Sequence, residues 1–132
     1  GRFRRGGVGV FGETGCVHIA PPADRVPYLI SDLFGWLRSA NDHLLIRSCV
    51  FHYEFEFIHP FIDGNGRTGR LIMNLDLIRN GYPPINVKFT DRKRYYDAFD
   101  SYYRDNNSTQ MTELITEYVE ARLDEYLEIL SR

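Results

Sequence analysis

The stretch HPFIDGNGRTGR, His59 to Arg70, decides how the rest of the chain is read. Pro60 disfavours the α region for the residue before it, so a helix arriving from upstream ends at His59 and leaves an imidazole at its exit. Gly64-Asn65-Gly66 lets the backbone pass through conformations that ordinary residues avoid. Successive amides in such a turn form an anion-binding nest. A new helix starts behind it, and Arg67 and Arg70, three apart, share one of its faces. Cations at a helix N-terminus are mildly unfavourable, by roughly 0.3–1 kcal/mol each. Two of them there imply an anion in the turn.

Upstream, Leu44, Leu45, Ile46, Val50, Phe51, Phe55 and Ile58 make the segment from His43 to Ile58 apolar nearly all round, the mark of a central, buried helix. Asn41 or Asp42 is the expected cap. Tyr53, Phe55 and Phe57 alternate with Glu54 and Glu56 as in a strand, but the apolar run is too long for one strand. Before it, Val26, Leu29, Ile30, Leu33 and Leu37 follow the helical period over Pro27 to Ser39. Val8 to Ile19, with Gly12-Glu13-Thr14-Gly15 at its centre, reads as a hairpin within about residues 7–20. Downstream, Arg67 to Arg79 is helical, with Leu71, Ile72, Leu75 and Ile78 as the expected buried face. Asn80-Gly81 and Pro83-Pro84 stop it. Ile85 to Phe89 is briefly extended. A helix from Thr90 or Asp91 carries Tyr95, Phe99 and Tyr102, and Asn106-Asn107-Ser108 breaks it. A last amphipathic helix carries Met111, Leu114, Ile115, Tyr118, Tyr126 and Leu130. The fold expected is mostly α, with one small N-terminal β-hairpin, in a single domain spanning residues 1–132.

Composition sets limits on function. The 132 residues carry a net charge of -2, which argues against a general nucleic-acid binder. Arg2, Arg4 and Arg5 near the start, and the acidic stretch from Glu113 to Glu128, read as solvated surface. Cys16 and Cys49 lack metal spacing and suggest thiols in a reducing, cytoplasmic setting. No apolar run is long enough to span a bilayer. The GRFRRGG start without Met suggests a fragment of a longer protein.

Taken residue by residue, His59 suits a general base near neutral pH. Asp63 suits Mg²⁺, which takes one or two carboxylates plus phosphate oxygens. The Asn65 amide can donate to the same anion as the Gly64 and Gly66 turn, and guanidinium forks at Arg67 and Arg70 suit phosphate. A polyphosphate with its metal satisfies all of these at once. Gly64, Gly66 and Gly69 match GxGxxG literally, but a dinucleotide fold needs a preceding strand and a following βαβ unit. A P-loop needs Lys-Ser/Thr where Arg70-Leu71 stand. His18, His43, His52 and His59 have no zinc spacing.

HPFIDGNGRTGR resembles the signature of Fic-domain proteins, HPFx(D/E)GNGRxxR, at every fixed position. The likeness covers most of the chain and fades after Ser108. The resemblance implies transfer of AMP from ATP to a Ser, Thr or Tyr hydroxyl of a target protein. It implies that His59 deprotonates the hydroxyl and that Asp63 holds Mg²⁺ between the α- and β-phosphates. Asn65 and the loop amides would position the α-phosphate, Arg67 the β-phosphate and Arg70 the γ-phosphate side. Phe61 would anchor the loop, and the hairpin would be the flap on which a target segment pairs. The Doc-like kinase branch replaces the second motif glycine by lysine, and Gly66 argues against it. Transfer of another phosphate-containing group, removal of AMP by hydrolysis, and a nucleotide-binding regulatory module without turnover are the alternatives. The family's inhibitory (S/T)xxxE(G/N) helix has no match here. Thr116 to Glu120 has the spacing, but Ala121 follows. Such a helix is expected upstream of Gly1 or on a separate antitoxin protein. No membrane or direct nucleic-acid contact is expected.

Overall fold

A computed structural model describes residues 1–12 and 15–132, with side chains outside 11–17; the expected turn residues Glu13 and Thr14 lie outside it. Strands β1 (Gly9–Gly12) and β2 (Gly15–Ile19) form an antiparallel pair with a bulge between Val10 and Phe11. Five helices follow: α1 (Val26–Ser39), α2 (Leu44–Ile58), α3 (Asn65–Arg79), α4 (Arg92–Asp105) and α5 (Thr109–Leu130). The expected mostly helical fold with one N-terminal hairpin is thus observed. None of the described helices is long and apolar enough to cross a membrane.

Helix α2 is the axis of the structure because it has no polar side. One face packs Phe51, Phe55 and Ile58 with Val26 and Leu33 of α1. The other packs Cys49 and Tyr53 with Met73 and Leu77 of α3, Phe99 of α4 and Met111, Leu114 and Ile115 of α5. Tyr53 is fully buried and stacks on Tyr102 of α4 at 4.1 Å between ring centroids. Its start differs from expectation: His43, not Asn41 or Asp42, is the cap, its Nδ1 accepting from the Leu45 amide.

Helix α3 buries a different row from the expected face, of which only Ile72 packs against the core. Leu71, Leu75 and Ile78 are exposed, at 70%, 53% and 53%. The buried positions are Asn65, Gly69, Met73 and Leu77, four apart in a single row. Such a row is a packing ridge, and it meets α2. Gly69 makes the approach possible: a Cβ there would stand 3.2 Å from Phe55 Cδ1 and 3.1 Å from His52 Nδ1. At the far end of α3 the expected extended segment forms no strand. Asn74 instead clamps Ile85, accepting from its amide and donating to its carbonyl, both at 2.9 Å. Helix α5 buries Met111, Leu114, Ile115 and Val119, while Tyr126 and Leu130, counted with them on the same amphipathic helix, are exposed.

Candidate active site

The helix that ends at His59 and the helix that starts at Asn65 bring the signature residues together. His59 leaves the α region as the following proline demands, but into the left-handed region, at φ 50° and ψ 62°. That conformation costs a non-glycine residue about 1–2 kcal/mol. Its amide still donates to the Phe55 carbonyl at 3.0 Å, closing the last turn of α2. The imidazole is half-buried, with Nδ1 enclosed and without a hydrogen-bond partner among the described residues. Nε2 is not among the enclosed, unpartnered atoms. Burial lowers the pKa of this ring, the Arg4 guanidinium lowers it further, and His18 adds a smaller push in the same direction. The Glu56 carbonyl pulls weakly the other way. The net effect favours a neutral imidazole, the form that accepts a proton.

The turn after it is built from inside. Asn65 is buried, its Oδ1 accepting from the Phe61 amide and its Nδ2 donating to the Phe61 carbonyl, both at 2.8 Å. The side-chain amide expected to face an anion thus also holds the loop shut, through its Oδ1 and one of the two hydrogens on Nδ2. Its backbone N–H and the second Nδ2 hydrogen are the donors it has left for an anion. Phe61, expected as a buried anchor, is half-buried and stacks on Phe3 with centroids 5.8 Å apart.

Gly64 adopts φ 82° as the residue before α3. The first helical bond runs from the Thr68 amide to the Gly64 carbonyl. The amides of Asn65, Gly66 and Arg67 precede it and have no helical partner. With no side-chain cap at Gly64, they form an open, electropositive rim. Arg67 and Arg70 both fold back over it. Arg67 Nη2 lies 3.6 Å from where a Gly64 Cβ would be, and Arg70 Nη1 only 3.0 Å from the corresponding point on Gly66. A larger residue at 66 would displace Arg70.

The two arginines sit in different surroundings. Arg67 pairs with Asp63 at 3.5 Å, with both side chains largely exposed; such pairs contribute about 0–1 kcal/mol and part readily for a ligand. Asp63 Oδ1 also accepts from the Gly64 amide at 2.8 Å. Arg70 lies against a buried polar group that the sequence pattern did not single out. Glu56 is pushed up to about 7, by burial first, with Arg70 acting in the opposite direction. His52, fully buried, is pushed down to about 3 by burial and then by Arg70. Its Nε2 bonds the Tyr95 hydroxyl at 2.6 Å. The signal for this cluster was present as His52 and Glu56, four apart on one side of a mostly apolar helix.

As a metal ligand, Asp63 is a single exposed carboxylate, and among the described residues no group of three or more potential ligands converges. That donor set fits Mg²⁺ only where phosphate oxygens supply the remaining ligands. A cavity of about 580 Å³ lies elsewhere, between the Pro84–Asp91 segment and α5. The hairpin stands beside His59, where the His18 ring stacks on Phe57 at 4.7 Å and its Nε2 bonds the Phe57 carbonyl at 3.0 Å.

Comparison with known proteins agrees with this geometry. The sequence model described as Fic/DOC family matches residues 1–77. The protein adenylyltransferase Fic of Culex quinquefasciatus is 38% identical over 130 residues, which is 96% of this chain and 25% of that protein. That of Drosophila melanogaster is 36% identical over the same shares. The chain thus spans about a quarter of the length of these curated relatives. Among solved structures, a Fic family protein from Desulfovibrio desulfuricans G20 superposes with a TM-score of 0.81 at 43% identity, over 99% of this chain and 42% of that one. Fic-1 from C. elegans (residues 134–508) gives 0.81 at 26% identity, over 98% and 37%. With the signature loop, the helical frame and these relatives in agreement, the chain belongs to the Fic/DOC family.

Proposed function

We propose that this chain is the catalytic domain of a protein adenylyltransferase, moving AMP from ATP to a hydroxyl of a target protein. The observation that carries the reading is the pairing of a half-buried imidazole at the exit of α2 with an adjacent helix start whose first amides have no helical partner and over which Arg67 and Arg70 fold. Curated relatives at 36–38% identity bear that activity in their names. His59 Nε2 takes the proton of the target hydroxyl as its oxygen bonds the α-phosphorus. The bond from that phosphorus to the bridging oxygen of the β-phosphate breaks, and pyrophosphate leaves. The Asn65, Gly66 and Arg67 amides hold the phosphate oxygens where charge develops, and Arg67 and Arg70 neutralise the departing group. Asp63 is the residue that would hold Mg²⁺ together with phosphate oxygens, and the ion would supply further charge neutralisation. The hairpin is the proposed docking edge for a target segment added as a strand. A reducing, cytoplasmic setting is the accompanying proposal, in keeping with the free thiol of Cys49.

Labelled ATP tests the reading. Incubation with Mg²⁺ and a cell lysate should put label on protein from the α-phosphate. Label from the γ-phosphate alone would indicate a kinase, and saturable binding without any labelled protein would indicate a regulatory module.

A further inference from the structure

Arg4 was expected on the solvated surface, yet it is 3% exposed. A buried guanidinium is costly unless its donors are met. Here all the acceptors are backbone carbonyls. Nε donates to the His59 carbonyl at 2.7 Å, Nη2 to Ile58 at 3.0 Å and to Pro21, and Nη1 to Gly6 at 2.9 Å. The Arg4 backbone amide donates to the Pro60 carbonyl at 2.8 Å. One residue therefore holds three consecutive carbonyls, those of Ile58, His59 and Pro60, at the C-terminal end of α2. Among the described residues no carboxylate pairs with it; its counter-charge is the negative end of the helix dipole and the orphan carbonyls there.

We propose that Arg4 is a positioning residue for His59, fixing the left-handed turn that presents the imidazole and tying the exit of the hairpin, at Pro21, to the same point. An αL residue other than glycine persists only where its surroundings over-determine it, and Arg4 supplies that constraint from 55 residues away in sequence. The planar fork matters: an ammonium group is a point donor and cannot span the divergent carbonyls. The fixed charge also keeps the ring neutral. The groups that bear on His59 are Arg4 from the opening segment, His18 from β2 and the Glu56 carbonyl of its own helix. Of these, Arg4 is the permanent cation.

This inference rests on the adenylyltransferase reading for its kinetic arm alone. The variants are Arg4→Gln, which removes the charge, and Arg4→Lys, which keeps charge and length but loses the fork. First, the His59 imidazole is titrated by NMR without nucleotide. Arg4→Gln should raise its pKa and Arg4→Lys should leave it near wild type. Second, α-phosphate label transfer is measured at varied ATP. Both variants should lower kcat by roughly 10- to 100-fold, the scale of a small misplacement of a reacting group, with KM for ATP nearly unchanged. A lower Tm with unchanged kcat would reduce Arg4 to a scaffold residue and overturn the proposal. An unchanged His59 titration in Arg4→Gln would overturn its electrostatic half. If Arg4→Gln does not fold, Arg4→Lys decides by the split between kcat and KM. If the wild-type chain transfers no AMP, the functional reading fails while the titration still judges Arg4.

Discussion

The exit of α2 and the entry of α3 lie six residues apart and are finished in opposite ways. At the exit, carbonyls that a helix end leaves orphaned are met by donors from Arg4. At the entry, the amides of Asn65, Gly66 and Arg67 precede the first helical bond, and no side chain caps them. The loop between is locked by Asn65 from within. The contrast teaches where this fold uses its hydrogen bonds. They are concentrated at His59 and its neighbours and absent from the first amides of α3, the arrangement the proposed function calls for.

Breaking the fixed side should have the largest effect. His59→Ala is expected to lower α-phosphate transfer by about 10²- to 10⁴-fold, the range of a lost general base, while calorimetry finds ATP-analogue binding retained. Breaking the open side comes next. Arg70→Ala should reduce transfer by about 10²- to 10³-fold, as for a donor to developing anionic charge. Gly66→Ala should do the same more weakly, because the added carbon meets Arg70 Nη1 at 3.0 Å; transfer rates of the two variants, measured side by side, give the order.

The two asparagine clamps on α3 sharpen the comparison. Asn65→Ala and Asn74→Ala each leave a paired backbone amide and carbonyl, of Phe61 and of Ile85, without partners, at a cost of about 1–3 kcal/mol in urea unfolding. Only Asn65→Ala should also lower transfer, since Asn74 serves Ile85, outside the signature loop.

Acid stability tests the cluster behind Arg70. Below about 6.5 an unfolded chain protonates His52, which the native ring refuses until about 3, so this group removes stability as pH falls. Native Glu56 keeps its proton up to about 7 against an ordinary 4.5, so it removes stability as pH rises through that window. Each slope is about 1.4 kcal/mol per pH unit. The pair should cancel between roughly pH 4.5 and 6.5 and leave a fall below it. Glu56→Gln removes the cancellation, and urea midpoints from pH 4 to 7 should then drop steadily toward acid. The smallest effect is expected from Asp63→Asn. It should change Tm little, because the Arg67 pair is exposed, but it should raise the Mg²⁺ concentration needed for half-maximal transfer.

How much of this was legible in the sequence depended on whether the cause was local. Helix ends marked by Pro60, Asn80-Gly81 and Asn106 were readable because a single residue's backbone preference sets them. Asn106 indeed closes α4 with φ 52°. The orientation of α3 was misread because its inner ridge consists of Asn65, Gly69, Met73 and Leu77, two of which count as polar or small in any apolar pattern. Close contact at Gly69 outweighs the more hydrophobic row on the other side. In the site, His59, Asp63, Arg67 and Arg70 were singled out by type and spacing, and the structure places them on one loop and the turn behind it. The inward turn of Asn65 depends on loop geometry, and the burial of Arg4 on carbonyls distant in sequence. Neither has a short-range signal.

The left-handed backbone at His59 carries a further consequence. Glycine is the residue at ease in that conformation, so His59→Gly should recover something like 1 kcal/mol of backbone strain while discarding the proton acceptor. A population screened only for thermal tolerance would drift toward that substitution and lose its chemistry in becoming sturdier. Under the proposed function, folding and turnover would therefore pull this position in opposite directions.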